Sequence, residues 1–120
     1  MTLEESEIYR MKVSIQPAGI TGNRSERLVA ICDSSLIGSD FDCKINNEDV
    51  SIRISDKFYG EEEFTAQEVL TELIKATSIN AIGVSIIDIL VQKRFVRSDV
   101  VMWFKADGYD NEIGHVIAIY

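Results

Sequence analysis

FTAQEVLTELIKATSINAIGVSIIDILVQKRF, residues 64–95, holds the densest structural signals of the chain. It opens on a helix start. Thr65-Ala66-Gln67-Glu68 has the capping-box form, with Thr65 as N-cap and Glu68 at N3, each side chain placed to satisfy a backbone N–H near the other. Phe64 and Val69 stand where a hydrophobic staple would join them. Val69, Leu70, Leu73, Ile74 and Thr77 follow one face and Gln67, Thr71, Glu72 and Lys75 the other, so the spacing predicts a first helix. A bend near residues 78–83 and a second helix are expected next. In that helix Ser85, Asp88 and Gln92 trace a narrow polar stripe among Ile86, Ile87, Ile89, Leu90 and Val91, the pattern of a helix buried on most sides. Asn80 and Gly83 read as the cap and the bend of a helix–helix junction. The most apolar part, residues 79–91, is interrupted by Asn80, Gly83, Ser85 and Asp88. It falls short of the roughly 20 apolar residues that a membrane helix needs.

Upstream, residues 11–16 alternate apolar and polar as a half-buried strand does, and Pro17, which cannot donate to a ladder, closes it. Residues 18–27 read as a loop, with two glycines, Asn23 and Ser25 for turn geometry. The continuous apolar run 28–32 predicts a central strand, broken by Asp33-Ser34-Ser35 before a short helical turn around Leu36-Ile37-Gly38. Phe41, Cys43 and Ile45, then Val50, Ile52 and Ile54, alternate with polar residues about Asn46-Asn47-Glu48-Asp49, which reads as a hairpin. Downstream, residues 100–104 and 114–120 read as strands around a polar loop, with Trp103 in the core. The order is strands, helix, helix, hairpin, without βαβα alternation. It predicts an α+β fold, a mainly antiparallel sheet with two consecutive helices packed on it. Residues 1–10 are expected to form a flexible N-terminal extension and residues 11–120 a single α+β domain.

A chain of 120 residues, 46% of them hydrophobic, can bury a core without metals or disulfides. The net charge is −8. Residues 40–72 hold ten acids and three bases, hence −7, whereas residues 73–106 hold five bases and two acids, hence +3. That balance opposes bulk nonspecific DNA binding, which depends on neutralising phosphates. The N-terminus MTLEESEIYR lacks the layout of a signal peptide, so a cytoplasmic protein with no membrane association is expected. Cys32 and Cys43 form no CxxC and read as two buried thiols.

Residues with chemical potential are few. No phosphate-loop, dinucleotide or nucleophile-elbow motif occurs, and no cofactor or metal site is expected. His115, the one histidine, would need a carboxylate such as Asp33 or Asp110 to serve a small enzyme or ligand-binding protein. Residues 107–112, DGYDNE, are half the length of a calcium loop. Glu61-Glu62-Glu63 read as complements to the positive end of the first helix. Lys93, Arg94 and Arg97 form the one basic cluster, suited to phosphate or an acidic surface, or to the negative end of a helix. Phe58 and Tyr59 lie in a loop, where exposed aromatics suggest binding.

The order of these segments resembles the archaeal domain of unknown function 424 family. The residues that carry the resemblance are Cys32-Asp33, Ile37-Gly38, Phe58-Tyr59-Gly60, Ala76-Thr77 with Asn80 and Gly83, and His115 in the last strand. It spans about residues 11–120. The chain departs from the pattern in its leader, in a longer loop near residues 19–27, in the DGYDNE insertion, and in lacking a proline before His115. The resemblance implies an archaeal cytoplasmic protein without a known activity, associated with translation genes. Together these features favour a non-catalytic interaction module over an enzyme, its partner a protein or ribonucleoprotein, with contacts drawn from Phe58, Tyr59, Asn80, Lys93, Arg94, Arg97 and His115.

Overall fold

The computed structural model describes residues 7–45, 47–106 and 111–120. Its main sheet has six strands in the order β5-β1-β2-β6-β8-β7, namely Glu63–Thr65, Ile8–Ala18, Arg24–Asp33, Ser78–Gly83, Ile113–Ile119 and Met102–Phe104. The remaining strands, β3 (Asp40–Ile45) and β4 (Glu48–Arg53), form a separate antiparallel hairpin. Helix α1 (Asp56–Tyr59) is a single turn, and α2 (Ala66–Leu73) and α3 (Ser85–Gln92) have two turns each.

The α+β class holds, with a mainly antiparallel sheet and two packed helices. The order of elements differs in three places: Phe58 and Tyr59, expected in a loop, lie in α1, the short strand β5 precedes α2, and the centre of the sheet is new. Residues 78–83 are not a bend between consecutive helices but strand β6, at the centre of the sheet, parallel to β2 and antiparallel to β8. The reason is burial on both sides. Ile79 and Ala81 enter the core beneath α2 and α3, while Ile82 enters the core beneath the hairpin. Coverage of both faces at Ile82 breaks the alternation begun at Ser78, and six such residues resemble part of a buried helix.

The same logic explains β2. Val29 and Ile31 face the helices; Ala30 and Cys32 face the hairpin, with Leu36, Phe41, Cys43 and Ile54. The molecule is therefore three layers: helices, six-stranded sheet, hairpin with α1. Ile86, Ile87, Ile89 and Leu90 of α3 are all buried, each worth about 1.5–3 kcal/mol relative to exposure. Both cysteines are buried and free.

The capping box at Thr65 forms as its sequence predicts, with Thr65 Oγ1 accepting from Glu68 N and Glu68 Oε1 accepting from Thr65 N. Phe64 and Val69 lie in one core cluster. Ile74 is exposed, because α2 ends at Leu73.

Four boundaries move. The extension expected over residues 1–10 gives up Ile8, Tyr9 and Arg10 to β1, and Tyr9 is 1% exposed. Pro17 lies inside β1, pairing with Ser25. It is tolerated because the other side of β1 meets β5 only at Ile8, Tyr9 and Arg10, so the rest is a sheet edge. The loop expected over residues 18–27 shrinks to a tight turn, since Arg24 already pairs with Ala18. Strand β4 likewise begins earlier than expected, at Glu48, and Asn47 before it stands at φ 67°, a left-handed conformation that asparagine tolerates.

Candidate functional site

Three residues singled out in the sequence meet on the hairpin side of the sheet. Tyr59 ends α1, Asn80 lies in β6 and His115 in β8. The Tyr59 hydroxyl donates to Asn80 Oδ1 at 3.1 Å, and His115 Nε2 lies 3.2 Å from the same oxygen. An amide oxygen only accepts, so Nε2 carries the imidazole proton. Burial pushes the Tyr59 hydroxyl up to about 12, with Cys32 adding to the effect, and burial lowers the pKa of His115. The cluster is thus neutral near pH 7: a phenol, an amide and an uncharged imidazole. Phe58 packs edge-on to Tyr59, ring centres 4.7 Å apart, and is 44% exposed.

Asp33 does not join His115. Its carboxylate is 7% exposed and accepts the backbone N–H groups of Val84, Ser85 and Ile86 at 2.8, 3.0 and 2.9 Å. It therefore caps α3 from the end of β2, a task that satisfies orphan donors at the positive end of a helix. Gly83 makes this approach possible. A Cβ there would lie 2.7 Å from Asp33 Cγ, at a φ of 151° that side chains rarely adopt. The role expected of Gly83 changes accordingly, from the bend of a helix–helix junction to the space beneath a capping carboxylate. Tyr9, on the neighbouring strand, bonds Ser85 Oγ at 2.6 Å. Asp110, the other carboxylate considered for His115, lies outside the described residues.

Lys93, Arg94 and Arg97 do not join Tyr59, Asn80 and His115. They follow α3, whose core is on the opposite side of the sheet. Lys93 is the C-cap, and Arg94 stands at φ 64°. Phe95 N donates to Leu90 O and Arg94 N to Val91 O, so the helix closes with a Schellman motif in which arginine holds the position glycine favours. Arg97 pairs with Asp99. The first turn of α2 contains Glu68 as its one acid, with Glu61 and Glu62 ahead of β5. Among the described residues no group of three or more His, Cys, Asp or Glu could hold a metal ion.

The sequence did not single out the surface beside this cluster. Along β8, Ile113 is buried beneath the hairpin, but Ile117 and Ile119 on the same face are 62% and 83% exposed. Ile117 pairs with Asn80, Ile119 with Ser78, and exposed Met102 with His115. The hairpin covers one end of the sheet and leaves this end open. Its sequence signal is faint: β8 is apolar on both faces, which reads as full burial. Trp103, expected in the core, is 45% exposed on the edge strand β7.

The family model described as "Protein of unknown function (DUF424)" matches residues 21–110, well over half of the chain. The solved structure of an uncharacterized conserved protein from the archaeon Methanopyrus kandleri shares the fold, with a TM-score of 0.58 at 18% identity over 92% of this chain and 90% of that one. No curated protein matches. Among the described residues no helix is long and apolar enough to cross a membrane.

Proposed function

The chain belongs to the DUF424 family, and on that premise we propose that it is a non-catalytic interaction module that docks on a protein surface of the translation machinery, the ribosome above all. The observation that carries this reading is the open end of the sheet, where Ile117 and Ile119 remain exposed beside the Tyr59–Asn80–His115 cluster. Apolar surface beside a few fixed polar groups is the make-up of a protein contact, in which burial supplies affinity and hydrogen bonds supply register. Phe58, exposed and braced by Tyr59, adds an apolar side chain next to the cluster.

Protein is preferred to nucleic acid as the direct contact for two reasons. The chain carries −8, which repels phosphate. Its basic cluster, Lys93, Arg94 and Arg97, follows α3 on the far side of the sheet. A cytoplasmic setting accords with two free thiols. The enzyme alternative loses Asp33 as the partner of His115, since that carboxylate is taken up by three backbone donors.

Sedimentation with ribosomal particles at low and moderate salt tests the proposal. Co-migration that Ile117→Asp abolishes, in a variant that keeps its circular dichroism spectrum, is the expected result. Absence of co-migration at both salts removes the translation assignment, and undiminished co-migration of Ile117→Asp removes this surface.

A further inference from the structure

A second surface lies at the other edge of the sheet and follows from how incompletely that edge is filled. Strand β5 occupies the place beside β1 only at Ile8, Tyr9 and Arg10. Beyond Arg10 no described strand pairs with that side of β1, although β1 runs on to Ala18. The chain ahead of β5 turns aside at Gly60, which has a φ of 100° and packs so closely that a Cβ would lie 2.4 Å from the Met11 carbonyl oxygen. Arg10 holds that turn in place, Nη1 donating to the carbonyls of Gly60 and Glu61 at 3.3 and 3.2 Å. The result is a cleft of about 650 Å³ that continues the line of β5. Its walls are Met11, Lys12 and Val13 on one side and Asp56, Lys57, Glu61 and Glu62 on the other.

We propose that this cleft receives an extended basic peptide, which adds to the free edge of β1 as the continuation of β5. Three observations select that occupant. An unpaired strand edge offers a row of main-chain donors and acceptors, the requirement for strand addition. The slot is a half-filled strand position with a wall fixed by Arg10 and Gly60, so little ordering is needed on binding. The lining is net acidic, Asp56, Glu61 and Glu62 against Lys12 and Lys57, and the Lys12 ammonium is held to the Lys57 carbonyl at 2.9 Å. Glu61 and Glu62 lie outside the first turn of α2, and their exposed side chains line this cleft. Pro17 limits the usable edge at its far end, since it has no N–H to offer.

A short synthetic peptide alternating lysine and valine, added to the full chain labelled with nitrogen-15 at physiological salt, provides the test. The expected result is amide shift changes confined to residues 11–16 and 56–62, slower hydrogen exchange along the outer edge of β1, and no response to a glutamate–valine counterpart. The double variant E61Q/E62Q keeps the fold, because both side chains are exposed, and weakens binding roughly fivefold. Shifts spread over the acidic surface without slowed exchange would reduce the interaction to charge attraction and overturn the proposal. So would equal binding of the glutamate peptide, no binding at millimolar peptide, or a concentration-dependent dimer that protects the same edge, which would make a second copy the occupant. Ile117→Asp leaves this peptide binding unchanged, so the two surfaces fail or succeed separately.

Discussion

Removing the Asp33 carboxylate tests the central junction of the fold. Asp33→Ala deletes the acceptor for three N–H groups at once. Val84 is exposed and Ser85 half-buried, so water replaces much of what their N–H groups lose, at about 0.5 kcal/mol each. The Ile86 N–H bond is buried, and leaving that donor unsatisfied costs about 2 kcal/mol. The sum is about 3 kcal/mol, above the usual loss of an N-cap and a large share of the roughly 5–15 kcal/mol that holds a domain folded. Asp33→Asn is milder, about 2 kcal/mol, since its one oxygen can serve Val84 and Ser85 but its amide then confronts the Ile86 N–H.

Gly83→Ala is the companion. In the native background its Cβ meets the carboxylate at 2.7 Å; combined with Asp33→Ala the collision is gone and only the strain of its φ remains. Urea unfolding of the four proteins closes a double-mutant cycle with a coupling of about 1–2 kcal/mol. Native-state hydrogen exchange should show Ile86 losing the most protection in Asp33→Ala. A loss below about 1 kcal/mol for Asp33→Ala would refute the capping argument. Equal costs of Gly83→Ala in both backgrounds would refute the steric one.

Thr65→Ala removes one half of the capping box and should lower stability by about 1 kcal/mol in urea unfolding, with α2 fraying first in hydrogen exchange. Arg94→Gly should raise stability by about 0.5 kcal/mol, because relief of the left-handed strain exceeds the entropy that glycine adds to the unfolded chain; a loss of stability contradicts the Schellman geometry. His115 has its pKa lowered by burial, so the unfolded chain takes up its proton first as pH falls. Stability from this group is complete above about 6.5 and is lost as pH falls from there through the folded pKa. His115→Gln should flatten the slope just below 6.5, and an NMR titration of the imidazole should give a midpoint below that value. The Cys32 thiol, pushed up to about 12 by burial and then by Asp33, should resist thiol reagents in the native protein and react at the rate of unfolding.

Where a signal was local, it was legible. The capping box needs only Thr65 and Glu68, one turn apart, so four residues suffice to place the start of α2. The β3–β4 hairpin is equally plain, since one of its faces is solvent and alternation survives. Within the candidate site, Tyr59, Asn80 and His115 each attracted notice singly. Nothing in their spacing of 21 and 35 residues said that one amide oxygen would join them. The basic cluster was as visible, yet it is carried to the far side of the sheet.

Residue order and periodicity along the chain were enough for the α+β class, the hairpin, the capped helix, the helix around residues 85–92 and the family. Tertiary structure was needed to show that residues 78–83 are a central strand, since coverage of both faces at Ile82 breaks the alternation begun at Ser78. It alone placed Asp33 at the start of a helix some 50 residues away, at Val84. And it alone left Ile117 and Ile119 open beside Asn80, because which part of an apolar strand stays uncovered depends on how far the hairpin reaches across the sheet.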